Sequence, residues 1–351
     1  MYRGECRFAE SFTKRFCGLA QSQGDAADLM AGDRMMGILF HYLGDQVSAR
    51  GHIEHVLRYF DTPSIPAHAI GFVVDERVVG QSYLARILWL QGCPEQAIDA
   101  ATKATEIARS IRHDVSLCYS LAAAVGPVAL WEGDLSRAQR TIAMLLDRSS
   151  RDSLRTWNAW GLSLKGVLLI EKSMVIEGLQ LLGPAIKDLR DVGNGLQDTS
   201  FLGEFAKGLG RAGKISEGLD AINEALDLSE KTEERWYTAE LLGIKGDLLL
   251  LQGKDGTVAQ AEDQFERALN LARSQGALSF ELRSAMRLFG LKRKQNGGDD
   301  ASALLKSVYD RFSEGFGTAD LKKTKALLDQ RETIASLKNA NSRRMHRTLL
   351  P

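Results

Sequence analysis

The segment GLGRAGKIS, residues 208–216, reads two ways. Gly208, Gly210 and Gly213 satisfy G-x-G-x-x-G, and Gly208 to Lys214 spells G-x-x-x-x-G-K, the outline of a phosphate-binding loop. Such a loop needs a buried strand before it, a helix N-terminus behind it, and a Ser or Thr after the lysine to reach the metal. Ile215 stands where the hydroxyl should be. Upstream, Phe201, Leu202, Phe205 and Leu209 fall on one face of a helix and do not alternate as a strand would. The segment therefore reads as a turn between two helices, with Gly213 as the turn residue and Lys214 solvated beside it.

The same local pattern recurs along the chain. HYLGDQVSAR (41–50), LWLQGCPEQA (88–97), ALWEGDLSRA (129–138), LIEKSMVIEG (169–178), GLGRAGKISEG (208–218), LLQGKDGTVAQA (250–261) and KQNGGDDASA (294–303) each join an apolar helix end, a polar turn and a small residue opening a second helix. The turn residues Gly44, Gly92, Gly133, Ser173, Gly213, Gly253 and Gly298 are 48, 41, 40, 40, 40 and 45 residues apart. Self-similarity at such a period is the mark of a repeat array. Seven residues before each turn stand Gly37, Ala85, Gly126, Gly166, Ala206 and Gly246, with Leu291 as the exception. Five after it stand Ala49, Ala97, Ala138, Gly178, Gly218 and Ala303, delayed to Ala261 in the sixth unit by KDGTV. Glycine within a helix costs about 1 kcal/mol relative to alanine, so its recurrence at matched positions predicts helices too close for a larger side chain. The predicted fold is an all-α solenoid of about seven helical hairpins, with an extra N-terminal helix over residues 5–21. Residues 1–337 are expected to form one repeat domain, and the basic stretch 338–351, KNANSRRMHRTLLP, a frayed tail.

Composition narrows the function. The 351 residues are 44% hydrophobic and 7% aromatic, fit for a large helical core. Lys+Arg and Asp+Glu both number 45, so no global field gathers nucleic acid or an anionic membrane. Cys6, Cys17, Cys93 and Cys118 lack paired spacing, as for reduced cytosolic thiols. The N-terminus MYRGECRFAE is too charged for a signal peptide, and LAAAVGPVALW (121–131) is too short to span a bilayer. A cytoplasmic location is expected. His52 and His55 share a helix face near His41, yet the sequence offers no carboxylate or cysteine to complete a metal site. No catalytic motif is present, and neither an enzyme nor a cofactor is expected.

The small-residue and turn pattern resembles tetratricopeptide repeats, with a longer period. ERWYTAELLGIKGDLLLLQG (234–253), AEDQFERALNLARSQGALSFELRSAMRLF (261–289) and YDRFSEGFGTADLKKTKALLD (309–329) resemble the C-terminal repeat region of bacterial multidomain signal-transduction ATPase regulators. Those carry a winged-helix or nucleotide-cyclase output domain, an ATPase and then a helical array. The resemblance extends upstream through LARILWLQGCPEQAI (84–98) and WNAWGLSLKGVLLI (157–170). It implies a non-enzymatic scaffold or sensor that binds a protein partner or a small-molecule inducer. The DNA-binding and ATPase residues of that family are absent from this sequence, so no direct nucleic-acid or membrane contact is implied. The competing reading is a stand-alone adaptor or co-chaperone gripping an extended peptide. In the family's geometry the first helix of each hairpin lines the concave face. Counting back from the turns puts Arg34, Arg86, Trp160, Lys207 and Asp247 there as candidate partner-binding residues, with Arg86 and Lys207 exposed. Trp89 and Trp131 are expected in the core.

Overall fold

The computed structural model describes residues 6–60, 73–151, 154–193, 195, 197–295 and 298–330. Among them there are helices and no strands. The expected N-terminal helix is α1 (Cys6–Gln23). Seven hairpins follow: α2 (Ala26–Leu43) with α3 (Gln46–Phe60), α4 (Glu76–Leu90) with α5 (Pro94–Ser110), α6 (Asp114–Ser120) and α7 (Gly126–Glu132) with α8 (Leu135–Arg151), and α9 (Arg155–Glu171) with α10 (Val175–Asp191). The last three are α11 (Asp198–Arg211) with α12 (Ile215–Thr232), α13 (Thr238–Gln252) with α14 (Thr257–Ser274), and α15 (Leu278–Lys294) with α16 (Gly298–Tyr309). A closing helix covers 319–330. The chain is an all-α solenoid; the boundary expected at 337 lies outside the described residues.

The hairpin turns have the conformation that calls for glycine. Gly44, Gly92, Gly133, Gly213 and Gly253 are left-handed, and so is Ser173. At the segment that opened the reading, the Gly213 amide donates to Gly210 O at 3.1 Å and the Lys214 amide to Leu209 O at 2.9 Å, closing the end of α11. Lys214 is exposed and pairs with Glu217 at 3.1 Å.

Close packing explains the small residues on the two arms. A Cβ on Gly166 would stand 2.7 Å from Leu182 Cβ and 3.0 Å from its Cα and N, and one on Gly178 would stand 2.8 Å from Gly166 O. The α9 and α10 backbones meet at these two glycines. Gly246 presses on the Phe265 ring in the same way, and Gly37 on Ile53. Where the repeat has alanine, at Ala49, Ala85, Ala97, Ala138, Ala206 and Ala261, the residue is fully buried.

Two details correct the sequence reading. In the seventh unit Gly298 is not the turn residue; it opens α16, and Ala303 is exposed while Ala301 and Ser302 are buried. Gly298 matches the period of the turn glycines but already belongs to the helix. LAAAVGPVALW is part of one continuous helix, Asp114–Glu132, long and apolar enough by composition to cross a membrane but 78% buried among its neighbours. Pro127 has no amide to give Ala123 O four residues earlier. The helix widens there into a π turn over Leu121–Val125, and the Ala123 carbonyl accepts from Arg86 Nη1 at 3.4 Å.

The array turns back on itself. The last turns of α2, α4 and α7 carry C-terminal carbonyls that their own helices cannot satisfy. Tyr42 O accepts from the Arg235 and Trp236 amides at 2.7 and 3.2 Å, Trp89 O from Ser279 Oγ at 2.5 Å, and Trp131 O from Arg283 Nη2 at 3.1 Å. The turn glycines of these three hairpins are tight as well: a Cβ on Gly44 would meet Gln275, on Gly92 Leu278 and Phe312, on Gly133 Ala319. Gly213 and Gly253 have nothing within 4 Å. The first three turns are thus packed against the C-terminal hairpins, and the fifth and sixth are open.

Candidate functional site

Closure fills the concave side of the first two hairpins. Arg86 is only 1% exposed, with its guanidinium carbon 4.6 Å from the Trp236 ring centre and 5.3 Å from that of Trp131. Its Nε donates to His41 Nε2 at 3.2 Å, and the Gln197 amide, assigned with its oxygen inward, accepts from both Nη atoms at 2.6 Å. Burial, reinforced by the Arg86 charge and only partly opposed by the hydrogen bond to Gln46, lowers the His41 pKa well below the ordinary imidazole value. The neutral ring this leaves accepts at Nε2 and donates from Nδ1 to Gln46 Oε1 at 2.9 Å. Arg86 therefore does not line a groove as expected; it rivets the second hairpin to the fifth and sixth.

Two other expected residues also fall elsewhere. Arg34 is mostly buried and paired with Glu76. Trp160 is 4% exposed and stacks on Trp157 at 5.8 Å. Arg86 is covered by distant units, whereas Arg34 is covered by the neighbouring hairpin and Trp160 packs on its own helix; turn counting registers none of these contacts. Trp89 is buried and Trp131 packs on it at 4.9 Å. His52 and His55 meet a carboxylate the sequence did not reveal, Asp33 of the facing helix, whose oxygens are 3.0 and 2.5 Å from their Nδ1 atoms.

Lys207 and Asp247 lie on the wall of a cavity of about 620 Å³, bounded by α7, α9, α11, α13, α15 and the closing helix. One part of the wall is apolar, with Leu130, Trp131, Leu164, Val167 and Phe201. The rest carries five cations, Lys207, Arg211, Arg283, Arg287 and Lys323, and five anions, Glu171, Glu204, Glu240, Asp247 and Asp320. Lys207 bridges Glu171 and Glu204 at 2.8 and 2.6 Å, and Arg211 reaches Glu171 at 3.4 Å. Tyr237 donates its hydroxyl to Glu204 at 2.7 Å. Arg287 grips Glu240 with both Nη atoms, at 3.0 and 2.7 Å, and donates Nε to Asp247 at 2.9 Å. Arg283 donates Nε to Asp320 at 2.7 Å.

The pairs set the charge states. Burial would lower Lys207, but Glu204 and Glu171 outweigh it and its pKa is raised. Burial would raise Glu240, yet Arg287 and Arg283 pull it down to about 2. Asp247 differs: burial prevails over Arg287 and its pKa is raised, although 48% of its side-chain surface stays open to the cavity. Arg211, at 41%, is the other open charge in these networks, whose remaining members are between 5 and 28% exposed; Lys323 on the closing helix is exposed as well. All ten charges sit on first helices or the closing helix. A signal for them was present in the sequence: Glu204, Lys207 and Arg211, then Glu240 and Asp247, then Arg283 and Arg287 recur at helical spacing in the first helices of successive hairpins.

The fold and this inner cavity define the class: a tetratricopeptide-type helical-repeat module. No protein-family model matches the chain. It is 27% identical over 220 residues to an uncharacterised protein of Rhizobium meliloti (strain 1021), covering 62% of the chain and 21% of that protein, so it spans about a fifth of its relative's length. Among solved structures, the Rap conjugation gene regulator of plasmid pLS20 in complex with the Phr* peptide is similar with a TM-score of 0.62 and 14% identity, over 84% of this chain and 78% of that one. A Rap protein complexed with competence and sporulation factor gives 0.57 and 14%, over 95% and 94%. A signal-transduction ATPase with a tetratricopeptide repeat sensor from Pyrococcus horikoshii gives 0.50 and 12%, over 94% of this chain and 54% of that one.

Proposed function

We propose that the chain is a non-enzymatic sensor module that holds a peptide, a protein segment or a small-molecule inducer in its inner cavity, and that in a longer protein it regulates an attached ATPase and output domain. The observation that carries the reading is the cavity itself: ten charges and an apolar wall converge on one concave surface built by one helix of each of five successive hairpins and the closing helix. The structurally similar Rap regulators are described in complex with Phr* peptide and with competence and sporulation factor, and the Pyrococcus ATPase carries its repeats as a sensor. These likenesses support the fold-level analogy and a cytoplasmic setting; the site must carry the function. The adaptor reading, an extended peptide along an open groove, fits less well with hairpins one to three closing on hairpins six and seven, which leaves a short cavity in place of a long trough.

The test is to pan a soluble library of linear synthetic peptides with free termini, read by mass spectrometry, against the immobilised full chain and, in parallel, the Lys207→Ala/Asp247→Ala double variant. Sequences enriched on the wild type and lost on the variant are expected. No enrichment, or enrichment indifferent to both substitutions, would refute the reading.

A further inference from the structure

We infer that the cavity selects a small zwitterionic ligand, an apolar amino acid or short apolar peptide with both termini free, seated with its ammonium on Asp247 and its carboxylate on Arg211. The inference rests on the cavity being the binding site, as proposed above.

The charge balance excludes other classes first. Five cations face five anions, so a multiply phosphorylated or otherwise polyanionic ligand would meet as much repulsion as attraction, and so would a polycation. An uncharged apolar ligand fits no better, because it would strip water from the charged wall and return no hydrogen bond. A molecule with one separated charge of each sign and no net charge matches the wall and leaves its neutrality intact.

The positions of the open charges then orient it. Most of the ten are held in short pairs on several sides; Asp247 and Arg211 are the members of the two networks with most surface left toward the cavity. Asp247 has one guanidinium partner, Arg287, and Arg211 has Glu171 on Nη2 and the Ile170 carbonyl on Nη1 at 2.9 Å, so the second Asp247 oxygen and the Arg211 Nε are left for a further ionic contact. The Lys207 charge is also felt at Asp247. Leu130, Trp131 and Met286, partly exposed on the wall, offer the ligand's side chains an apolar surface. A volume of about 620 Å³ falls within the range of small-molecule sites and restricts the ligand to a few residues.

The experiment is equilibrium dialysis of the full chain against pooled tripeptides of Ala, Val, Leu, Ile, Phe and Met, read by mass spectrometry. Pools with free termini, N-acetylated, C-amidated and doubly capped are run side by side. Bound members of the free pool are expected to lose roughly tenfold or more in affinity on either capping, the equivalent of one ionic contact. Arg211→Ala should abolish the discrimination against the C-amide and spare that against the N-acetyl; Asp247→Ala should do the reverse; Arg211→Lys should restore the first. Equal binding of free and doubly capped pools overturns the inference. So does failure of every tripeptide while longer free peptides from the library bind in a way lost in the Lys207→Ala/Asp247→Ala variant, which leaves the proposed function standing. If neither tripeptides nor longer free peptides bind, both fall.

Discussion

Replacing the turn glycine of the second hairpin should cost far more than replacing that of the sixth. Gly92 and Gly253 are both left-handed, at φ 84° and 65°. Alanine at either therefore carries the same backbone penalty, ~1–2 kcal/mol. The surroundings differ. At Gly92 the new methyl would lie 2.7 Å from Leu278 Cδ2 and 3.0 Å from Phe312 Cε1, both in the C-terminal part that closes the array, whereas at Gly253 it meets nothing within 4 Å. Overpacking of this kind adds ~1–3 kcal/mol. Gly92→Ala is thus expected to lose ~2–5 kcal/mol and Gly253→Ala only ~1–2 kcal/mol. Urea denaturation followed by circular dichroism and by tryptophan fluorescence reads both, because Trp89, Trp131 and Trp236 lie at the closure. Equal losses for the two variants would mean that the turns of the first hairpins are not packed against the last, and the closed array would have to be abandoned.

The same reasoning gives three further outcomes. Gly166→Ala drives a methyl onto the Leu182 backbone and should destabilise by ~1–3 kcal/mol, while Gly51→Ala, within α3 and with open space around it, should stabilise by ~0.4–1 kcal/mol; a gain for both in thermal melts would contradict the close approach of α9 and α10. Arg86→Ala should cost ~2–5 kcal/mol as a buried truncation between two tryptophans, and an unchanged melting temperature would return Arg86 to the surface. Burial raises Glu132 to about 7, with Arg137 opposing and Asp134 adding to it. Between the ordinary carboxylate pKa and about 7 the folded state holds a proton that the unfolded chain has lost, so stability falls as pH rises through that window, by on the order of 3 kcal/mol from this residue. Denaturation midpoints at pH 5 and pH 8 should differ by less in Glu132→Gln than the wild-type slope requires, the remainder coming from Glu234, also raised to about 7 by burial, and, with opposite sign, from His41, whose pKa is lowered. A slope untouched by the substitution would count against a buried, protonated Glu132.

Much of the fold was legible because each hairpin solves the same local problem. Gly213 had to be glycine for its left-handed turn, and Gly166 and Gly178 for the contact of two helices, so periodic glycine and alanine spelled the repeat before any contact was known. The seventh unit slipped because Gly298, which fits the period of the turn glycines, sits at the start of α16. The inner surface was legible only in part. Lys207 and Asp247 reach the cavity wall as counting along first helices expects, although Lys207, expected exposed, is held at 27% exposure by Glu171 and Glu204. Arg86 does not, since its burial depends on Trp236, 150 residues away in sequence. No local period encodes how far a solenoid curls; that is set by the sum of small rotations between units. Asp33 was missed as the partner of His52 and His55 for a related reason, since it lies on the facing helix of the same hairpin at no fixed spacing from them.

The central claim is that ligand sits inside the array, among α7, α9, α11, α13 and α15. Amide hydrogen exchange of the full chain, with and without a saturating peptide enriched by panning, tests it most directly. Slowed exchange concentrated in the first helices around Glu171, Lys207, Asp247 and Arg287 is the predicted result, with the outer helices α10, α12 and α14 unchanged. Protection confined to those outer helices, with the cavity helices unaffected, would contradict the account.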